Sequence, residues 1–233
     1  MRRVLPILFN TEMVRAISDG RKTCTRRVIK AQPDEKHTFP LGFVTGSTEA
    51  KELGCFGFGT NENGGSIQFV KPPYQAGDIL YVRETIWQKT GHYLDVDGET
   101  KAVWCNEFRY AASDEKPEVG WNYSWGKRPS IHMPKEAARI WLKVTDVRVE
   151  RLQEITSQGA WKEGARCPCL YPVPDCAENK TAFIEIWNIT INKTDLDCYG
   201  WDANPWVWVI EFERCEKPQN EGEASKANPT GQL

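Results

Sequence analysis

Residues 20–27, GRKTCTRR, concentrate side chains that bind charge or carry out nucleophilic and acid–base chemistry. Cations flank Thr23, Cys24 and Thr25, although the whole chain has a formal net charge of −2. The cationic side chains are those of Arg21, Lys22, Arg26 and Arg27. One interpretation is a cradle for a polar substrate. The other is a solvated cationic strand edge that contacts phosphates or discourages edge-to-edge strand pairing.

The elements around this motif position it at a helix end followed by a strand. Residues 4–9, VLPILF, predict a first strand, and Thr11 is a suitable N-cap for a short amphipathic helix. Gly20 stands where a helix C-terminus favours a left-handed residue. Residues 22–29, KTCTRRVI, predict a strand because Thr and Val favour extended structure.

Side chains alternate along a strand, so the motif has two faces. Thr23, Thr25 and Arg27 are predicted to share one face, and Cys24 and Arg26 the other. Lys22 then lies at the turn that begins the strand.

The rest of the chain alternates strand patterns with irregular segments. Residues 30–72 lack clear periodicity, and the run 52–65 is rich in Gly and Asn, which predicts an insertion of loops that could include a hairpin. Residues 105–127 are a second poorly defined stretch. The predicted elements are a strand within 76–87, a hairpin over 92–104 turning at Asp97-Gly98, a strand over 138–152, a helix from Thr156 or Ser157 to about 165, a helix over 178–191 and a strand over 205–214. Together they predict an α+β, β-rich fold, and short strands with few helices favour a small barrel over a parallel sheet.

Composition limits the classes of partner. Lys+Arg number 30 and Asp+Glu number 32, so the chain has no overall basic field. Tight non-specific binding to long nucleic acid is therefore not favoured, because such binding rests on phosphate neutralisation. A local basic site remains compatible with this balance, and the 10 Trp residues offer surfaces on which bases could stack.

The apolar runs are too short to span a membrane or to form a signal peptide, so we expect a cytoplasmic protein without a membrane partner. Its protein partners are unknown from sequence. The polar composition after residue 216 predicts a disordered tail over 217–233.

Three further residues are candidate substrate-binding groups. Arg83 and Glu84, in YVRETIW, could line a cleft or form an ordinary ion pair. His132 lies between two prolines in KRPSIHMP, where a structural role is the alternative. A ribonuclease would need a His or Lys partner for Lys22, and His132 is the best available one.

The cysteines give a weak metal signal. Cys167, Cys169 and Cys176, with Cys198 later, have a spacing that lacks the paired C-x-x-C knuckles of strong zinc sites. We therefore assign no metal and no cofactor, and metal binding by these four residues is left open. Cys24 is expected to have its thiolate favoured by the neighbouring cations, but it lies on the face opposite Thr25.

Five pieces of sequence, taken in order, resemble ASCH-domain proteins of the PUA-like superfamily, especially the long versions encoded by phages and prophages. They are ILFNTEMVRAISDGRKTCTRR, GDILYVRETIW, RPSIHMPKEAARIWLKVTDVRVERLQEIT, WKEGA and NPWVWVIEFER. The resemblance covers roughly residues 4–214 and implies a single domain over 1–216, with 30–72 and 105–127 as insertions or loops. It also implies a small PUA-like β-barrel, flanked by short helices, with a cleft that faces a nucleoside or nucleic acid.

Some small bacterial ASCH proteins are N(4)-acetylcytidine amidohydrolases, and their motif G-R-K-T-x-T-x-R matches residues 20–27. The resemblance implies catalytic roles for Lys22, Thr25 and Glu163, the last in ITSQGAWKEGA. In that reaction Lys22 would activate the Thr25 hydroxyl, and Glu163 would orient the lysine or carry protons. Arg27 would stabilise an oxyanion, and Arg21 and Arg26 would help to bind the substrate.

Membership of a family does not fix activity, so three hypotheses stay open. The first is hydrolysis of an acyl group from N(4)-acetylcytidine or a similar modified cytosine. The second is a binding module that recognises RNA or a modified base without chemistry. The third is a metal-independent ribonuclease.

Overall fold

The computed structural model describes residues 3–94, 96–120 and 122–218. The predicted disordered tail lies almost wholly outside the described residues. The strands are β1 (Val4–Leu8), β2 (Cys24–Val28), β3 (Phe39–Phe43), β4 (Phe56–Asn61), β5 (Gly64–Val70), β6 (Ile79–Arg83), β7 (Ile86–Leu94), β8 (Thr100–Tyr110), β9 (Tyr123–Arg128), β10 (Trp141–Arg151) and β11 (Trp206–Cys215). The α-helices are α1 (Thr11–Ser18), α2 (Ser157–Lys162), α3 (Glu178–Thr190) and α4 (Leu196–Tyr199). The fold is α+β and β-rich, as predicted.

The chain divides into two compact units. Among the described residues, the first comprises those within 3–9, 79–143 and 214–218, and the second comprises 10–78 and 144–213. Strand β10 begins in the first unit and continues in the second. The proposed boundary of a single domain at residue 216 stays a prediction.

In the first unit, β6 lies between two partners. It pairs with β1 in parallel and with the start of β10 in antiparallel register. A separate antiparallel sheet has the order β8-β7-β9. The predicted hairpin is confirmed, since Leu94 pairs with Thr100 across a turn that contains Gly98 at φ +79°. Ile86 packs there with Met133 and Ala137.

In the second unit, β11 lies between β10 and β2, which places β2 at the edge of this sheet. Helices α2 and α3 cover one face through a core that includes Ala160, Phe183, Trp187, Val207 and Val209. Since Val209 stands opposite Arg26 across the ladder, the Arg26 side of β2 shares this face.

Residues 30–72, expected as an insertion of loops that could include a hairpin, contain more regular structure than that, and β4 and β5 form a hairpin. Residues in this segment form a three-stranded sheet in the order β3-β4-β5. Its aromatic side chains pack on β11: Phe58 contacts Trp206 with ring centroids 5.1 Å apart, and Phe56 contacts Trp208 at 6.3 Å. Burial of aromatic surface stabilises strands whose own sequence is rich in Gly.

Two further features bear on the predictions. The strand pairings among the described residues form open sheets, so the PUA-like barrel stays a prediction. None of the helices in the described ranges has the length and apolar character needed to cross a membrane.

Candidate functional site

Helix α1 ends in a turn that delivers Lys22 to the interior. Asn10, and not Thr11 as predicted, caps the helix by accepting a hydrogen bond from the Met13 amide. After the helix, Gly20 adopts φ +72°, as expected for a left-handed stop. The backbone amide of Lys22 then donates to the Ala16 carbonyl at 2.9 Å, which fixes where its side chain starts.

Helix α2 positions Glu163 from the other direction. Thr156 caps the helix N-terminus by accepting from the Gly159 amide at 3.0 Å, as predicted. Glu163 is the C-cap residue, and Gly164 follows it at φ +88°. A Cβ atom on Gly164 would lie 3.3 Å from the Cβ of Lys22, so only glycine allows this close approach without displacement.

Lys22 and Glu163 form a buried ion pair. The Nζ atom of Lys22 lies 2.5 Å from Oε2 of Glu163 and also donates to the Glu163 backbone carbonyl at 3.0 Å. The exposed fractions of the two side chains are 1% and 7%. Residues separated by 141 positions in sequence are therefore joined in one polar contact.

Arg26 extends this pair into a network. Its Nη1 lies 3.3 Å from Oε1 of Glu163, and its Nη2 lies 2.9 Å from Oε2 of Glu150 on β10. Arg148 donates to the other oxygen of Glu150 at 2.6 Å. Partial burial acts to raise the pKa of Glu150, but the hydrogen bonds from Arg148 and Arg26 outweigh it and lower that pKa below its ordinary value.

A polar cavity of about 230 Å³ lies beside the network. It is lined by Arg26, Arg148, Glu150, Glu154, Thr156, Gln158, Gly159 and Lys162. Within the described part of the chain, the Nε–H of Arg26 is buried and has no hydrogen-bond acceptor. A buried donor without a partner is costly, and a ligand acceptor would satisfy it.

Thr25 is buried on the same strand but on the other face. It stands opposite Ile210 across the ladder, and Arg27 stands opposite Trp208. The catalytic role of Thr25 stays a prediction.

Arg27 shares the Thr25 side of the strand. Burial acts to lower the pKa of its guanidinium, and the charges of Tyr74 and Glu163 oppose that shift without cancelling it. Its proposed oxyanion role also stays a prediction.

The expected thiolate character of Cys24 is wrong. Burial, reinforced by the negative charge of Glu163, raises the pKa of the Cys24 thiol to about 12. The positive charges of Lys22 and Arg26 act to lower this pKa, but their effect is smaller than that of burial. The buried Cys24 thiol is therefore protonated at neutral pH.

The remaining predicted substrate-binding residues have local partners. Arg21 is partly exposed and pairs with Asp19 at 2.8 Å. In the first unit, Arg83 donates to the backbone carbonyls of Met133 and Ile131. Thus Arg83 supports the short turn that carries the exposed His132.

Glu84 is buried and takes two hydrogen bonds from Arg139, at 2.9 and 3.0 Å. Glu84 therefore forms an ordinary ion pair, which was one of its two predicted roles. Its partner is Arg139, which the sequence did not suggest. Substrate binding by Arg83, Glu84 and His132 stays a prediction.

Sequence reasoning missed the acidic and basic residues of β10. Asp146, Arg148 and Glu150 recur at every second position, a pattern that indicates one polar strand face. That periodicity could have placed Glu150 beside a cation, but it could not identify Arg26 as that cation.

No protein-family model matches the chain, and no curated protein and no solved structure shows significant similarity to it.

Proposed function

We propose that the protein is an amidohydrolase that removes an acyl group from the exocyclic amine of a modified cytosine such as N(4)-acetylcytidine. The observation that carries the proposal is the buried Lys22–Glu163 pair, which Arg26 connects to a polar cavity that it lines. Buried ion pairs stabilise folds weakly, whereas buried titratable pairs next to clefts are frequent in active sites. The motif in residues 20–27 supports the same choice.

The pair can supply both proton transfers of amide cleavage. Transfer of one proton from Lys22 to Glu163 gives a neutral amine and a neutral carboxylic acid. The amine then takes the proton of the attacking hydroxyl while the acid protonates the departing exocyclic nitrogen. The C–N bond breaks, an acyl–oxygen bond forms, and the ammonium–carboxylate pair is restored. Where the attacking oxygen is that of Thr25, a water molecule then attacks the acyl-threonine ester, which releases the carboxylic acid and restores the hydroxyl.

Arg26 is suited to hold the substrate. Its guanidinium borders the cavity and can donate to a carbonyl oxygen of the acyl group or of the base. The cavity volume of about 230 Å³ lies below the range of roughly 300–1,000 Å³ typical of drug-sized ligands. A single modified base is a suitable occupant.

Thr25 is the proposed nucleophile, and an activated water is the alternative. Because β2 is an edge strand, the substrate would have to approach along that edge to meet both Thr25 and Lys22. The two possibilities predict different behaviour for Thr25→Val, so the nucleophile can be tested separately from the acid–base pair.

The test measures release of cytidine from N(4)-acetylcytidine by the full chain. Lys22→Met and Glu163→Gln should each lower kcat by roughly 10²–10⁴-fold, the usual contribution of acid–base catalysis. The matched controls are Lys30→Met and Glu185→Gln, at exposed positions, which should leave turnover unchanged. Circular dichroism and tryptophan fluorescence establish that each variant is folded.

Each outcome decides between hypotheses. Turnover that survives in folded Lys22→Met and Glu163→Gln refutes the proposed mechanism. A Thr25→Val variant with full activity assigns the attack to water. Absence of turnover in the wild type, together with salt-sensitive RNA binding, supports the binding module, and degradation of RNA in chelator supports the ribonuclease.

A further inference from the structure

The segment between α2 and α3 gathers thiol and carboxylate groups that the proposed reaction does not use. Four potential ligand atoms lie within 4.8 Å of one another: the Sγ atoms of Cys167, Cys169 and Cys176 and a carboxylate oxygen of Glu178. The Sγ atoms of Cys169 and Cys176 are 3.7 Å apart. Sγ of Cys169 is 3.1 Å from Oε2 of Glu178.

These separations are those of a tetrahedral thiolate site. With a Zn–S distance of about 2.3 Å, tetrahedral geometry puts two sulfur ligands about 3.8 Å apart. A Zn–O distance of about 2.1 Å puts a sulfur and an oxygen about 3.6 Å apart. The observed spacings approach both values, so small side-chain movements would bring all four atoms to bonding distance.

The loop that carries the cysteines is held by a buried side chain. Asn179 is fully buried, and its Oδ1 accepts from the Cys167 amide at 2.9 Å. Its Nδ2 donates to the carbonyls of Val173 and Pro174 at 2.8 and 3.1 Å. The backbone around the ligands is thus fixed before any metal binds, which lowers the ordering cost of binding.

We propose that Cys167, Cys169, Cys176 and Glu178 form a structural zinc site. Three thiolates select a thiophilic divalent ion over magnesium or calcium, and a full set of four protein ligands leaves no open position for catalysis. Cys198, which the spacing had suggested as a fourth ligand, is exposed and outside the cluster. The carboxylate of Glu178 takes that position.

A disulfide between Cys169 and Cys176 is the competing explanation. It would use two of the four groups and require the sulfurs to approach from 3.7 Å to about 2.05 Å. A disulfide would not explain why Cys167 and Glu178 also lie within 4.8 Å of the two other groups. Partial exposure of Cys169 and Cys176 gives an ion a route to the site.

The test uses the reduced, metal-free full chain titrated with Co²⁺ and then Zn²⁺. We expect one Co²⁺ per chain, with an intense thiolate-to-cobalt charge-transfer band and tetrahedral d–d bands that Zn²⁺ abolishes. Cys176→Ser should lose these bands, and Glu178→Gln should weaken binding at least tenfold. Cys198→Ser is the matched control and should bind like the wild type.

Thermal unfolding gives a second measurement that does not depend on the spectrum. Zinc at a thousandfold excess over its dissociation constant should raise the Tm of the wild type by roughly 8–16 °C. Cys176→Ser should show no such rise. Unchanged cobalt spectra in Cys176→Ser overturn the proposal, as does a Cys169–Cys176 disulfide in protein isolated with thiols blocked. Both measurements are independent of cytidine release, so the zinc site and the proposed function can fail separately.

Discussion

Substitution of both partners of the Lys22–Glu163 pair should destabilise the protein by less than the sum of the two single substitutions. In Glu163→Gln the ammonium of Lys22 loses a carboxylate at 2.5 Å, and Arg26 loses one at 3.3 Å. Both cations are buried, so solvent cannot replace the lost charge. Removal of one member of a buried pair costs about 3–5 kcal/mol.

The reverse single substitution should be milder. In Lys22→Met the Glu163 carboxylate keeps Arg26, so we expect a loss near the lower limit of about 3 kcal/mol. The double variant leaves no unmatched charge at the pair, and its free energy of unfolding should fall less than the sum of the two single losses. The coupling energy should reach about 2 kcal/mol.

Urea unfolding, followed by both tryptophan fluorescence and circular dichroism, measures these differences. With a slope of about 3 kcal/mol/M, a loss of 4 kcal/mol moves the midpoint by about 1.3 M. Glu12→Gln breaks an exposed pair with Arg15 and serves as the control, with an expected change of less than about 1 kcal/mol. Single variants that lose less than about 1 kcal/mol would refute the reasoning, because the pair would then behave as a solvated surface contact.

Three further predictions concern neighbouring groups. Because its hydrogen bonds from arginines lower the pKa of Glu150, this carboxylate should stabilise the fold above about pH 4.5 and lose that effect as pH falls. The stability difference between wild type and Glu150→Gln in urea should therefore be smaller at pH 3.5 than at pH 6, and a constant difference would contradict this. With the Cys24 pKa near 12, iodoacetamide at pH 8 should label exposed Cys198 and spare Cys24 in native protein, as peptide mass spectrometry can measure; equal labelling would exclude a buried, protonated thiol. Gly164→Ala should cost about 1–3 kcal/mol in urea, since its backbone is left-handed and its new methyl would press on Lys22; a neutral result would mean that the turn relaxes freely.

Local patterns were sufficient for the elements that flank the site. The helix stop at Gly20, the edge strand that follows and the cap at Thr156 all obey rules that act over a few residues. The contact between Lys22 and Glu163 is different in kind. No periodicity relates positions so far apart, and the two were associated only through a resemblance to a family motif.

Other features depend on packing that sequence does not display. The strand Phe56–Asn61 contains two glycines and an asparagine, which are depleted in strands, so its local preference is weak. The strand forms because Phe56 packs against Trp208 and Phe58 packs against Trp206. Likewise, counting cations around Cys24 gave the wrong sign because desolvation exceeds their attraction for a thiolate.

Three of the four proposed zinc ligands were part of the weak metal signal in the sequence, and Glu178 was missed for a chemical reason. The spacing rule considers only cysteine and histidine pairs, and here the proposed fourth donor is a glutamate at the first position of α3. A scan that admits carboxylates near closely spaced cysteines would have found Glu178.

The pairing of Ile79 with Lys143 has a consequence for how the segment between them can vary in length. The chain leaves the second unit after Asp78 and returns at Val144, and the amide of Val144 donates to the carbonyl of Asp78 at 2.9 Å. Departure and return points that touch are the property that lets a segment be spliced into a gene without disturbing its host. The stretch 79–143 thus begins and ends at neighbouring residues, so its length can vary between β6 and the start of β10 without moving those ends, while β6 keeps its pairing with β1.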